Sequence, residues 1–203
     1  MGAVLAIAAF LYLRESDGED RRQGAGRLMS ELMSGKAKVG GPFTLADPSG
    51  ASRSLADFRG KIVLLYFGYA GCPDVCPTDL ARIGAMLNSL GAEEKAVQAL
   101  FVTLDPRRDT SQVLREYAAA FHPHLLALRG SEEETRRIAT SYKVFYEKVP
   151  QPGGGYFIDH AAFTFLIDRV GRYVAFFPPG THADRMAVMV REALAEATPQ
   201  PGS

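Results

Sequence analysis

Residues 61–80 read KIVLLYFGYAGCPDVCPTDL, and the reading of this stretch sets the architecture of the chain. After Lys61 the first residues are continuously apolar, β-branched or aromatic, and the run is too short for an ordinary helix. Such a run is a strand buried on both faces, as in a parallel sheet covered by helices. Gly68 and Gly71 end it, and beyond Pro77 a stripe of Leu80, Ile83, Leu87 and Leu90 recurs at helical spacing. A buried strand running through a turn into a helix opens a βα unit, and α/β folds place ligand sites at that end of the strand. The chain's two cysteines, Cys72 and Cys76, lie in this turn. Pro77 disfavours a helical conformation at Cys76 and suits the first helical position, which makes Cys76 the N-cap and sets Cys72 on the loop above. The unpaired N–H groups and the dipole of the helix favour a thiolate there, and Asp79 in the first turn fits the same dipole.

Outward from this stretch, strands and helices alternate. Residues 43–55 (FTLADPSGASRSL) form a hairpin turning at residues 48–50. Residues 97–104 are a second buried strand. Residues 110–121 are a helix with Leu114, Tyr117, Ala118 and Phe121 inward and Asp109 or Thr110 as cap. A short strand covers 125–128, and a helix covers 131–142, with Ser131 and Glu134 as a capping box. Residues 163–168 and 173–177 form a late hairpin, followed by a helix over about 182–197. The pattern predicts an α/β sandwich whose sheet is mixed because that hairpin is antiparallel.

The remainder of the chain is organised around this domain. Residues 2–13 (GAVLAIAAFLYL) are apolar; as a helix they span about 18 Å, short of the roughly 30 Å hydrocarbon core. No basic residue precedes them and no A-x-A-like site follows, so the segment reads as a truncated membrane anchor and not as a signal peptide. Residues 14–40 are a polar linker with a short helix near 27–33, residues 41–197 the globular domain, and 198–203 a tail. The 203 residues are 47% hydrophobic, with 23 basic and 23 acidic side chains. That balance speaks against a nucleic-acid partner, which draws a basic excess, and against a disordered chain. Two cysteines exclude a disulfide scaffold and a four-cysteine zinc site.

Two convergent thiolates suit a soft ion such as Cu(I). A metal-free redox dithiol is the rival reading; two inert core cysteines are the plain one, opposed by the Gly, Pro and Asp residues around them. Four histidines are available as a third ligand. His122 and His124 straddle Pro123 after a helix, the pattern of an exposed loop. His182 opens the last helix as a surface or capping residue. His160 lies just before a buried strand and after Gly153–Gly155, whose mobility would help it move. A neutral imidazole there, oriented by Asp159, can complete a trigonal Cys2His set. A lone histidine is more often structural, and spacing alone leaves both readings open. Asp105 and Asp109 in DPRRD read as a turn and a helix cap, with a second acidic site as the alternative.

FGYAGCPDVCPTDL (67–80), TLDPRRDT (103–110) and DH followed by FTFLID (159–168) resemble the Sco/SenC family, over about residues 42–197. The resemblance implies a thioredoxin-like fold, a central mixed β-sheet flanked by helices, with an N-terminal hairpin extension. It implies that Cys72, Cys76 and His160 bind Cu(I) or Cu(II), with Asp159 beside the histidine. It further implies a membrane-anchored copper metallochaperone serving the copper-binding subunit of cytochrome c oxidase during assembly. A thiol reductant or an upstream copper donor would prepare it, on the periplasmic side of an inner membrane or the intermembrane side in a mitochondrion. Ala70 and Ala161 depart from the family pattern, each replacing a hydroxyl residue that would orient the site. The alternative function is a thiol-disulfide reductase that keeps the oxidase's copper-ligand cysteines reduced. Against it, no proline occurs between Pro152 and Pro178, where thioredoxin-type enzymes carry one facing their cysteines. A peroxidase of the same superfamily fits less well, because Tyr69 stands where such enzymes place a threonine.

Overall fold

A computed structural model describes residues 38–196 and Ser30. The apolar segment 1–13, the helix expected near 27–33 apart from Ser30, nearly all of the linker and the 198–203 tail lie outside the described residues. Among the described residues no helix is long and apolar enough to cross a membrane.

An N-terminal hairpin, β1 (Thr44–Ala46) and β2 (Ser52–Ser54), precedes the main sheet. Its turn is tied by Asp47, whose Oδ1 accepts the N–H of Ser49 at 2.8 Å and whose Oδ2 accepts Arg53 Nε at 2.8 Å. The run at 61–67 becomes β3 (Ile62–Gly68), with every residue buried. Chain order then gives α1 (Val75–Leu90), β4 (Val97–Thr103), α2 (Ser111–Ala119), β5 (Leu125–Leu128) and α3 (Glu132–Ser141). Two further strands, β6 (Tyr146–Pro150) and β7 (Tyr156–His160), pair with each other. They are followed by β8 (Thr164–Ile167), β9 (Tyr173–Phe177) and α4 (Ala183–Ala195).

The main sheet runs β5-β4-β3-β8-β9. Strands β3, β4 and β5 are parallel and linked by crossover helices, whereas β8 lies antiparallel to both β3 and β9. This is the mixed, helix-flanked sheet that the pattern predicts, with the thioredoxin-like fold and N-terminal hairpin that the resemblance implies. The core follows from it: Leu64, Leu65, Tyr66 and Phe67 of β3 and Leu100 to Val102 of β4 are fully buried. The stripe Leu80, Ile83, Leu87 and Leu90 of α1 closes over that sheet, each residue at most 4% exposed. Thr110 caps α2 by accepting the N–H of Val113, and the Ser131–Glu134 capping box forms on α3.

Two expectations need correction. The chain between α3 and β8 is not a flexible lead-in but the β6–β7 hairpin, a separate two-stranded arm in register Tyr146↔His160 to Pro150↔Tyr156. Gly153, Gly154 and Gly155 all have φ near +90°, which only glycine adopts without strain, and they form the turn of that hairpin. They lie at the end opposite His160, so they do not lend it mobility. Helix α1 also starts earlier than expected, with Asp74 as N-cap and Cys76 its second residue. Pro77 is accommodated because the first N–H groups of a helix have no intrahelical partner to lose. Asp79 therefore sits beyond the first turn, 2% exposed, accepting the N–H of Gly180 at 2.9 Å and paired with Arg82.

Candidate metal centre

Cys72 reaches the site from the loop after β3, Cys76 from the first turn of α1 and His160 from the last position of β7. The loop is held by both of its flanks. The N–H of Cys72 donates to Tyr69 O at 3.2 Å, and the N–H of Ala70 donates to Asp109 Oδ2 at 3.0 Å. Gly68 is the position where sheet and site meet most tightly. A Cβ there would stand 2.8 Å from Cys76 Sγ and 3.0 Å from the ring of Tyr66, so only glycine lets the thiol close over the strand end.

The three side chains converge. Cys76 Sγ lies 3.3 Å from His160 Nε2, and the N–H of Cys76 donates to Cys72 Sγ at 3.4 Å. All three donor atoms lie within 4.8 Å of one another, although Cys76 and His160 are 84 residues apart in sequence. Both cysteines are free thiols; Cys76 is fully buried and Cys72 half-buried. Their acidities diverge. A hydrogen bond from the Cys76 thiol, aided by His160 and the N–H groups of Asp74 and Cys76, holds Cys72 down at about 4. The bond to Cys72 and burial push the Cys76 thiol up. The reduced pair thus holds a single proton on Cys76, with the charge on Cys72 at the helix N-terminus.

His160 presents Nε2 to the sulfurs, while its Nδ1 is buried without a hydrogen-bond partner. The orienting contact expected from Asp159 is therefore not made. Asp159 is exposed, and alternation along β7 turns consecutive side chains to opposite faces. The imidazole is instead bordered by Tyr69, ring centroids 6.1 Å apart at 78°.

The contacts that sequence reasoning missed are made by the turn at 105–109. Asp109 is not the helix cap, a place that Thr110 takes. Its Oδ2 accepts both Ala70 N–H and Thr103 Oγ1, the latter at 2.5 Å, and burial raises its pKa. Asp105 accepts the Tyr156 hydroxyl at 2.9 Å and pairs with Arg108. Arg108 in turn donates to Tyr156 O at 2.8 Å and lies 3.9 Å from the centroid of its ring. Among the described residues, no other histidine is grouped with the two thiols. His182 is the N-cap position of α4. His122 is buried at 5% exposure, against the expectation of an exposed loop, and lies with His124 beside Glu94.

Two thiol sulfurs and a free imidazole nitrogen are a soft donor set, suited to copper and not to hard cations such as Mg or Ca. Comparison with known proteins agrees in fold and sequence. The chain is 37% identical over 179 residues to an SCO2-like protein of Rickettsia prowazekii, covering 87% of this chain and 86% of that one. The copper-bound structure of ScoI from Bradyrhizobium japonicum superposes with a TM-score of 0.71 at 39% identity, covering 76% of this chain and 99% of that one. Yeast Sco1 with copper bound gives a TM-score of 0.74 at 34% identity, over 81% and 92% of the two chains. The family model described as SCO1/SenC matches residues 31–195, and the chain belongs to that family.

Proposed function

We propose that the protein is a copper metallochaperone, not an enzyme, that binds one Cu(I) or Cu(II) through Cys72, Cys76 and His160 and delivers it to the copper centre of cytochrome c oxidase during assembly. The observation that carries this reading is the convergence of two sulfurs and one imidazole nitrogen from three separate elements. Three protein donors leave a position open to an incoming ligand of the acceptor subunit, so copper can pass by stepwise exchange without release. The cysteines must be reduced to bind, so a disulfide between them turns the site off. The reading places the domain outside the cytoplasm, held at the membrane through residues 1–13 and supplied by a thiol reductant or copper donor.

The lowered pKa of Cys72 favours a second reading, a thiol-disulfide reductase acting on the oxidase's copper-ligand cysteines, because a thiolate is the attacking species in exchange. Anaerobic copper titration of the reduced protein, wild type beside His160→Ala, separates the two. The chaperone reading expects one copper per chain and at least a tenfold loss of affinity in the variant. Weak or non-stoichiometric binding by the wild type would sink it and put the reductase first.

A further inference from the structure

A second group of donors gathers near the far end of α1, away from the thiols. The 3-10 turn Gly91–Ala96 carries Glu94, and the loop between α2 and β5 carries His122 and His124. Glu94 Oε1 lies 2.5 Å from His124 Nδ1 and 3.6 Å from His122 Nε2, and all three atoms lie within 4.8 Å of one another. Asn88 Oδ1 stands 3.2 Å from the same His122 nitrogen. Asn88 is beyond Cys76 on the same helix by about 18 Å at 1.5 Å of rise per residue, so the two groups are separate.

This group differs from a solvated ion pair in two respects. His122 is a buried imidazole at 5% exposure, its ring held by the N–H of His124, which donates to Nδ1 at 3.1 Å. Glu94 Oε1 is itself buried, with both ring nitrogens facing it. Close imidazole nitrogens around a buried carboxylate oxygen form a donor set of intermediate softness, the set that suits a borderline divalent ion.

We propose that Glu94, His122 and His124 form a second metal site, which takes one borderline divalent transition-metal ion such as Zn(II). Binding at Nε2 moves the ring proton of His122 to Nδ1 and releases the His124 amide to solvent. The ion ties the turn after α1 to the loop after α2, and water fills the fourth position on the side of the adjoining cleft. Lys61 and Lys95 line that cleft and oppose a bare cation, so the three donors supply the affinity.

Zn(II) titration by calorimetry, on the full chain carrying Cys72→Ser and Cys76→Ser, tests the site with the thiols removed; its outcome is therefore independent of the copper reading. The expected result is one zinc per chain, with at least tenfold weaker binding after His124→Ala and after Glu94→Gln. His124 is 56% exposed, so its truncation leaves the core intact. Zinc should also raise the thermal midpoint of the thiol-free chain, and less so in either variant. No stoichiometric binding, binding as tight in either variant as in the parent chain, or binding lost only with His160→Ala each overturns the proposal.

Discussion

Cys72 and Cys76 are the same residue type four positions apart, yet their surroundings give them different chemistry. Cys72 sits half-buried at a helix N-terminus, where the Cys76 thiol and backbone N–H groups point at its sulfur and hold it at about 4. Cys76 is fully buried, and its proton is retained by burial and by the adjacent thiolate. Alkylation by iodoacetamide reports this directly, because only the thiolate reacts. As pH rises through about 4 the Cys72 rate should climb and then stay flat to neutrality, whereas an ordinary cysteine keeps climbing towards about 8.5. Peptide mapping should find Cys72 modified and Cys76 untouched, and a rate still rising between pH 5 and 8 would contradict the assignment. The pair was legible in the sequence because its spacing and its place after a buried strand are local properties. The role expected of Asp159 was not borne out by the contacts, because adjacency in sequence means opposite faces once the segment is a strand.

At the scale of elements, the turn at 105–109 holds both halves of the site. Asp109 fixes the cysteine loop through Ala70, while Asp105 and Arg108 grip Tyr156 on the strand that ends in His160. An isolated two-stranded hairpin is marginal by itself in water, so this grip decides where the histidine stands. Arg108→Ala should cost on the order of tenfold in copper affinity, the usual cost of losing a group that supports a metal ligand. It should also lower the thermal midpoint, because the Asp105 carboxylate that it pairs with is fully buried. The double variant with His160→Ala is the stringent check. If Arg108 acts through the hairpin, adding its substitution to His160→Ala changes copper affinity no further; a full second loss would mean it acts elsewhere. None of this was visible in DPRRD alone. The turn residues were legible, but the Tyr156–Asp105 contact spans 51 residues and depends on a hairpin the sequence hid. Its strands are partly exposed and interrupted by Pro150 and Pro152, so they lack the apolar run that marked β3.

For the whole molecule, the five-stranded sheet was readable because its inner strands β3, β4 and β8 are buried on both faces, and burial writes itself as continuous apolar sequence. The site lies across two sheets: two donors follow the end of the central strand β3, and the third is on the β6–β7 arm, which pairs with no strand of the main sheet. A metal ion held by all three donors would bond the arm to the sheet, which links copper affinity to the stability of the arm. A ligand that binds only the folded state at about a hundred times its Kd adds about 2.7 kcal/mol of stability. For a domain of this size that corresponds to a rise in Tm of about 5–10 °C, at about 2–4 °C per kcal/mol. Saturating Cu(I) under reducing conditions should produce this rise, and a Cu(I) chelator should reverse it. In His160→Ala most of the rise should vanish, and hydrogen exchange of residues 146–160 should no longer slow on adding copper. A Tm shift of equal size in wild type and variant would instead place the metal on the two thiols alone and leave the arm uncoupled from it.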